Sequence, residues 1–211
     1  MAKNLQERVV WLRTNRIEGL SDGIFAFSMT LLVMTLNLPE AGKNLVSGNL
    51  GQLLIGQSDK FFNYALSFIL IAIVWMIHHQ QFHFIKKTDQ RHLWINIYLL
   101  MFVALIPFST TLVGDYAKST AAELFFDLNL FLVGVALFLN WEYSTRGYRL
   151  VNKTLPQERI VLGWRRTLVM PLVALLAMSL VYFDPNYSSY AYLTIPFILA
   201  FPYFKNRRDQ Q

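Results

Sequence analysis

Residues 16–38 read RIEGLSDGIFAFSMTLLVMTLNL, from Arg16 to Leu38. The stretch is mostly apolar, and a helix of about 20 such residues is long enough to cross a bilayer. It nevertheless carries Asp22 near its start, with Ser21, Ser28, Thr30 and Thr35 along its length. An ionisable side chain inside a membrane helix is costly, so it faces a partner or water rather than lipid. At about 100° per residue, Ile24, Ser28, Leu31 and Thr35 share one narrow face with Ser21 at its edge, while Asp22, Ala26, Met29 and Val33 lie opposite. Such a helix has two working sides: one alternates hydroxyls with branched apolar residues, the other carries a carboxylate in need of a partner. The plainer alternative is a core helix whose hydroxyls bond back to their own carbonyls.

The rest of the chain agrees with a membrane setting. Of its 211 residues 55% are hydrophobic and 15% charged, against about 25% charged in an average soluble domain. The absence of Cys excludes disulfides, thiolate catalysis and Cys-ligated metal. The N-terminal run MAKNLQERVVWLRTNR has no short apolar core with a small-residue cleavage site, so it does not read as a cleaved leader.

Six apolar spans are expected, at about 17–38, 61–82, 92–113, 121–141, 167–183 and 187–204. Pro107 is expected to kink the third, and Asp184-Pro185-Asn186 to turn the chain before the sixth. The sixth is the least regular, with Pro196 and Pro202 in or near it. A polar, basic segment, 142–166, separates the fourth from the fifth. With six spans, 16 of the 19 Lys and Arg fall on one side, leaving Lys43, Lys60 and Lys118 on the other. Cytoplasmic loops carry the excess of Lys and Arg, so both termini are expected in the cytoplasm. The net charge of +6 is then a topology signal and calls for no nucleic-acid partner. Trp11, Trp75, Trp94, Trp141 and Trp164 all fall near cytoplasmic helix ends, as interfacial anchors do.

This topology gathers polar residues at one depth. Arg16, Ser21 and Asp22 enter from the cytoplasm, Trp75, His78 and His79 approach it, and His92 and Asn96 leave it again. Consecutive helices joined by short loops are neighbours, so Asp22 has His78 or His79, Asn96 and Arg16 as candidate partners. One reading is a brace that fixes the rotation of the first helix. The rival is a proton relay in a proton-coupled secondary transporter using Asp22 and His78 or His79, since Asp and His chains carry protons in membranes. With the brace, the Ile24, Ser28, Leu31 and Thr35 face could line the axis of a symmetric oligomer, where apolar rings gate by dewetting. His79 and His83 have the i, i+4 spacing of metal ligands but no suitable carboxylate beside them. Glu123 and Asp127, four apart near the external end of the fourth span, suit a wet mouth or weak cation binding. Nucleophile–base and metal-hydrolase motifs are absent, which argues against an enzyme.

Arg16-Ile17-Glu18-Gly19-Leu20-Ser21-Asp22 resembles the RxxxFSD signature of the endosomal and lysosomal potassium channel family, transmembrane protein 175 type, in its bacterial and archaeal branch. The flanks agree: DGIFAFSMTLLVMTL, then VWMIHHQQF, then LWINIYLLMFVALIPFSTTLVGDY, over residues 13–116. Leu20 stands where the signature has Phe and fills much of the same space. The resemblance implies an all-α integral membrane protein with residues 1–211 as a single six-helix channel domain and both termini cytoplasmic. It implies a homotetramer in the plasma membrane of a prokaryote, with the first helix lining a central pore. The function implied is passive conduction of potassium among monovalent cations, with no cofactor. The apolar constriction would lie at Ile24, with Ser28 and Leu31 as the next levels and Thr35 beyond. Arg16, Ser21 and Asp22, with Trp75, His78 and Asn96, would brace that helix.

Overall fold

The computed structural model describes residues 14–37 and 50–201. The described residues form an all-α bundle: α1 (Asn15–Leu31), α2 (Leu50–Ile55), α3 (Ser58–Phe84), α4 (Gln90–Asp115), α5 (Thr120–Thr145), α6 (Gln157–Leu180), α7 (Pro185–Ala191) and α8 (Thr194–Ala200). Five segments among them are long and apolar enough to cross a membrane: Asn15–Thr35, α3, α4, Thr120–Tyr148 and α6. At ~1.5 Å per residue the 27-residue α3 reaches ~40 Å, more than the hydrocarbon core alone. The chain is a multi-pass membrane protein.

The helices outrun the apolar spans because hydropathy marks only the part of a helix that meets lipid. The largest difference is α6, which begins at Gln157, ten residues before the expected Thr167. Its first two turns hold polar and basic residues, with Glu158 favourably placed in the first turn. Trp141 and Gly163 show how tightly this extension packs. A Cβ on Gly163 would come within 2.2 Å of the Trp141 indole nitrogen, so only glycine lets the ring lie there. Trp141 is therefore core, 2% exposed, and donates from Nε1 to the Ile160 carbonyl at 3.0 Å. It is not the interfacial anchor expected. Trp94, 52% exposed, has a surface consistent with that role, and Trp11 lies outside the described residues.

Higher up the same helix pair, Gly134 meets Pro171, whose Cδ would lie 2.5 Å from an added Cβ. The two backbones thus approach closely, as small residues permit between membrane helices. α4 is continuous through buried Pro107. The hydroxyls of Ser109 and Thr110 donate to the Ile106 carbonyl, and that of Thr111 donates to the Pro107 carbonyl.

The expected sixth span is interrupted. The turn closes at residues 181–184, earlier than expected, with Phe183 N and Asp184 N both bonded to the Leu180 carbonyl. Pro185 then opens α7, where its missing N–H is not needed. α7 and α8 have seven residues each and break at Tyr192-Leu193. Pro196 explains the break: it has no N–H for the Tyr192 carbonyl, so a helix running through would lose that bond. In the first turn of a fresh helix it loses nothing. Pro202 lies outside the described residues.

The apolar core runs between α1, α3, α4, α5 and α6, with Leu70, Val74, Leu99, Val103, Leu130 and Ala174 buried. A smaller cluster sits where α3 ends and α6 begins, and includes Ile17, Phe82, Ile85, Trp141, Val151 and Ile160. There the linker after α3 pairs with the linker after α5 through an Ile85–Val151 bridge.

Candidate functional site

The candidate site is α1, its supports and its uncovered face. α1 packs on α3 and α4. Ile17, Ser21, Phe25, Ser28 and Leu32 are buried along one seam. Its start is held by Thr14, whose carbonyl accepts from Ile17 N and Glu18 N.

Two separate links hold the first turns. Asn96 Nδ2 donates to Ser21 Oγ at 3.1 Å, and His78 Nε2 donates to Asn96 Oδ1 at 2.8 Å. All three residues are buried. One neutral chain thus joins α1, α4 and α3. Trp75 Nε1 donates to Asp22 Oδ1 at 2.9 Å. Asp22 is exposed, so it does not need the buried histidine partner expected for it. The indole N–H, invisible to any count of charges, takes that place. Arg16 is exposed and makes none of these bonds. His79 is exposed and stacks on Trp75 at 5.6 Å between ring centroids.

The four residues expected to line a pore do not share one environment. Ile24 is half-buried and Leu31 is 37% exposed, at the edge of the packed seam. Ser28 and Thr35 are 1% and 6% exposed, inside the seam. Thr35 falls on the seam by spacing, about five full turns from Ile17, which is buried there. Residues Leu32–Thr35 are a 3₁₀ turn, tighter than the α-helix before it. In that turn the Thr35 Oγ1 donates to the Leu32 carbonyl at 2.7 Å. Ser28 lies on the seam by ordinary α-helical geometry, and its Oγ finds no hydrogen-bond partner among the described residues. The uncovered face of α1 instead carries Leu20, Phe27, Leu31 and Met34, with Phe27 64% and Met34 67% exposed. Gly19 and Gly23 are open beside them, with nothing within 4 Å of an added Cβ.

At the opposite end of the bundle a second polar cluster appears. Asp127 is fully buried and Glu123 is 4% exposed, so they form no wet mouth. Asp127 accepts from Ser188 Oγ at 2.7 Å and from the Tyr192 hydroxyl at 2.8 Å, and Glu123 accepts from Ser189 Oγ at 3.2 Å. Ser188, Ser189 and Tyr192 escaped the sequence reading because hydroxyl residues in an apolar run carry no spacing signal until the helix break is known. Among the described residues no group of three or more His, Cys, Asp or Glu is placed to hold a metal ion.

The first helix and its supports fall inside a recognisable family segment. Residues 16–107 match the family described as endosomal/lysosomal potassium channel TMEM175. Over that segment the chain is similar to the TMEM175 potassium-channel family. It is 31% identical over 137 residues to a potassium channel of Streptomyces collinus, covering 63% of this chain and 65% of that one. It is 29% identical over 151 residues to a potassium channel of Chamaesiphon minutus, covering 70% and 73%. The chain thus spans just under two thirds of the Streptomyces relative's length. In three dimensions it resembles the crystal structure of a TMEM175 homolog from Chamaesiphon minutus, described as a lysosomal potassium-selective channel. That match has a TM-score of 0.76 at 25% identity and covers 88% of this chain and 96% of that one. The TMEM175-like chain therefore shares its fold with that homolog well beyond the matched segment.

Proposed function

We propose that this TMEM175-like chain is a potassium-permeable channel that conducts passively, without a cofactor, in the plasma membrane of a prokaryote. Its functional unit is a homotetramer of six-span subunits, residues 1–211, with both termini cytoplasmic and α1 nearest the axis. The observation that carries this reading is how little of α1 its own subunit covers. Only 28% of the residues in its most apolar window are buried, against 44–56% in the other four spans. The uncovered side is apolar and includes the two open glycines, a surface suited to close approach by other copies of the same helix. The similarity to relatives named as potassium channels supports the ion assignment.

Within the assembly, Ile24 and Leu31 form the apolar rings, because they sit at the edge of the packed seam and remain accessible. Ser28 and Thr35 lie behind them at intermediate levels. Arg16 stands at the mouth, and the Ser21–Asn96–His78 chain with the Asp22–Trp75 bond fixes the rotation that presents Ile24. The two links share no side chain. A proton relay from Asp22 to His78 would need them joined.

The test is ion flux in liposomes with opposed potassium and sodium gradients, for the parent and Ile24→Asn. The expected result is passive current in the parent and an altered potassium preference in the variant. Uptake that saturates and requires a proton gradient would overturn the channel reading.

A further inference from the structure

Between the end of α3, the end of α5 and the start of α6 lies a cleft of about 470 Å³, within the size range of small-molecule sites. Its lining residues come from α3, α5 and α6. The cleft is two-sided in character. Its floor is the Trp141 indole, seated on Gly163, with Leu162 beside it. Its walls carry His79 and His83 from α3 and Arg159 and Arg166 from α6, and among the described residues no carboxylate lines it. The spacing explains how two helices supply four nitrogen-bearing side chains. His79 and His83 are one turn apart on α3; Arg159 and Arg166 are two turns apart on α6. Arg166 donates to Gln80 Oε1 across the cleft, which positions its guanidinium at the wall.

The cleft sits where apolar spans give way to polar loops. Above it, Ile69 and Met76 are exposed, at 46% and 49%, and share with His83 a seven-residue spacing along one stripe of α3. A cationic pocket with an apolar floor at that depth, continued by an apolar stripe, matches an amphiphile with a negative head. Arginine forks match phosphate oxygens in geometry as well as charge. We propose that this cleft binds the phosphate head of an anionic phospholipid, held by Arg159 and Arg166 with the imidazoles of His79 and His83 as further donors. The acyl chains lie along Ile69 and Met76. The site does not depend on which ion the protein conducts, and its test reads binding alone.

The experiment is native mass spectrometry of the purified full chain with phosphatidylglycerol, phosphatidylcholine and, separately, soluble glycerol phosphate. The parent is expected to retain phosphatidylglycerol over phosphatidylcholine by about tenfold, and glycerol phosphate weakly. Arg159→Gln with Arg166→Gln should remove the preference, and the exposed-loop pair Arg146→Gln with Lys153→Gln should leave it intact. Leu162→Trp, which fills the cleft but keeps both arginines, should also remove it, so the result does not hang on one variant folding. Equal retention of the anionic lipid by parent, Arg159/Arg166 variant and Leu162→Trp would overturn the site. Glycerol phosphate binding as well as the lipid would overturn the lipid as its source.

Discussion

The two ends of the bundle bury polar groups in opposite ways. Where α1 starts, Ser21, Asn96 and His78 form a chain of uncharged side chains across three long helices. At the other end, Asp127 and Glu123 of α5 are buried against the hydroxyls of Ser188, Ser189 and Tyr192. The difference follows from what each cluster holds. α3 and α4 are long and bury apolar faces along much of their length, so neutral hydrogen bonds need only set their rotation. The segment from α7 into α8 is two seven-residue helices. Helices that short are not stable alone, and bonds to a carboxylate are about twice as strong as neutral ones.

That contrast predicts an order of effects. Asp127→Ala should be the most damaging change, because it leaves the Ser188 and Tyr192 hydroxyls buried without their acceptor. At about 1–3 kcal/mol per unsatisfied group, the loss is about 3 kcal/mol. Thermal unfolding of the purified protein measures it, and protease cleavage near residues 185–193 should appear at lower temperature than in the parent. Asp127→Asn, which keeps one acceptor oxygen, should fall between the two. If Asp127→Asn matches the parent, charge is not what holds α7, and the contrast between the ends fails.

Asn96→Ala is expected to come next. It removes the donor to Ser21 and the acceptor for His78 together, at a cost of about 2 kcal/mol. Its distinguishing readout is conduction. With the chain from α3 to α1 cut, the rotation of α1 relaxes and potassium preference should fall along with stability. A stable variant with unchanged preference would mean that packing alone sets the rotation. Asp22→Ala should cost less, about 1 kcal/mol, since the Trp75 bond is exposed. Asp22→Asn, which still offers Trp75 an oxygen, should unfold close to the parent. A large loss of flux in a normally stable Asp22→Asn variant would instead favour the transporter reading.

Long apolar runs made four of the five long helices legible to within a few residues, and α6 only in its apolar half, since its first turns are basic and amphipathic. The meeting of Ser21, Asn96 and His78 was legible too, because successive spans that alternate in direction put those residues at one depth. What stayed hidden was decided by groups that hydropathy and charge do not register. The Trp75 indole N–H took the Asp22 carboxylate. A missing N–H at Pro196 split the last apolar stretch, and the split brought Tyr192 and Ser188 onto Asp127. The seam against α3 and α4 took in Ser28 and Thr35, so a face drawn from residue spacing alone was split between a packed and an uncovered side.

The smallest expected effect on stability is also the sharpest on geometry. Ser28 is buried, yet its hydroxyl has no partner among the described residues. A buried polar group left unsatisfied costs free energy, so Ser28→Ala should leave the stability to thermal unfolding unchanged or raise it slightly, by less than about 1 kcal/mol. Conduction then decides where the residue faces. If Ser28 belongs to the seam against α3 and α4, current and potassium preference in Ser28→Ala match the parent. If four copies turn α1 enough to bring the hydroxyl to the axis, it meets water or ions there, and its removal changes the current while stability stays put. The second result would mean that assembly rotates α1 against its own braces. Asn96→Ala should then make that rotation easier, and the two substitutions together would show non-additive effects on conduction.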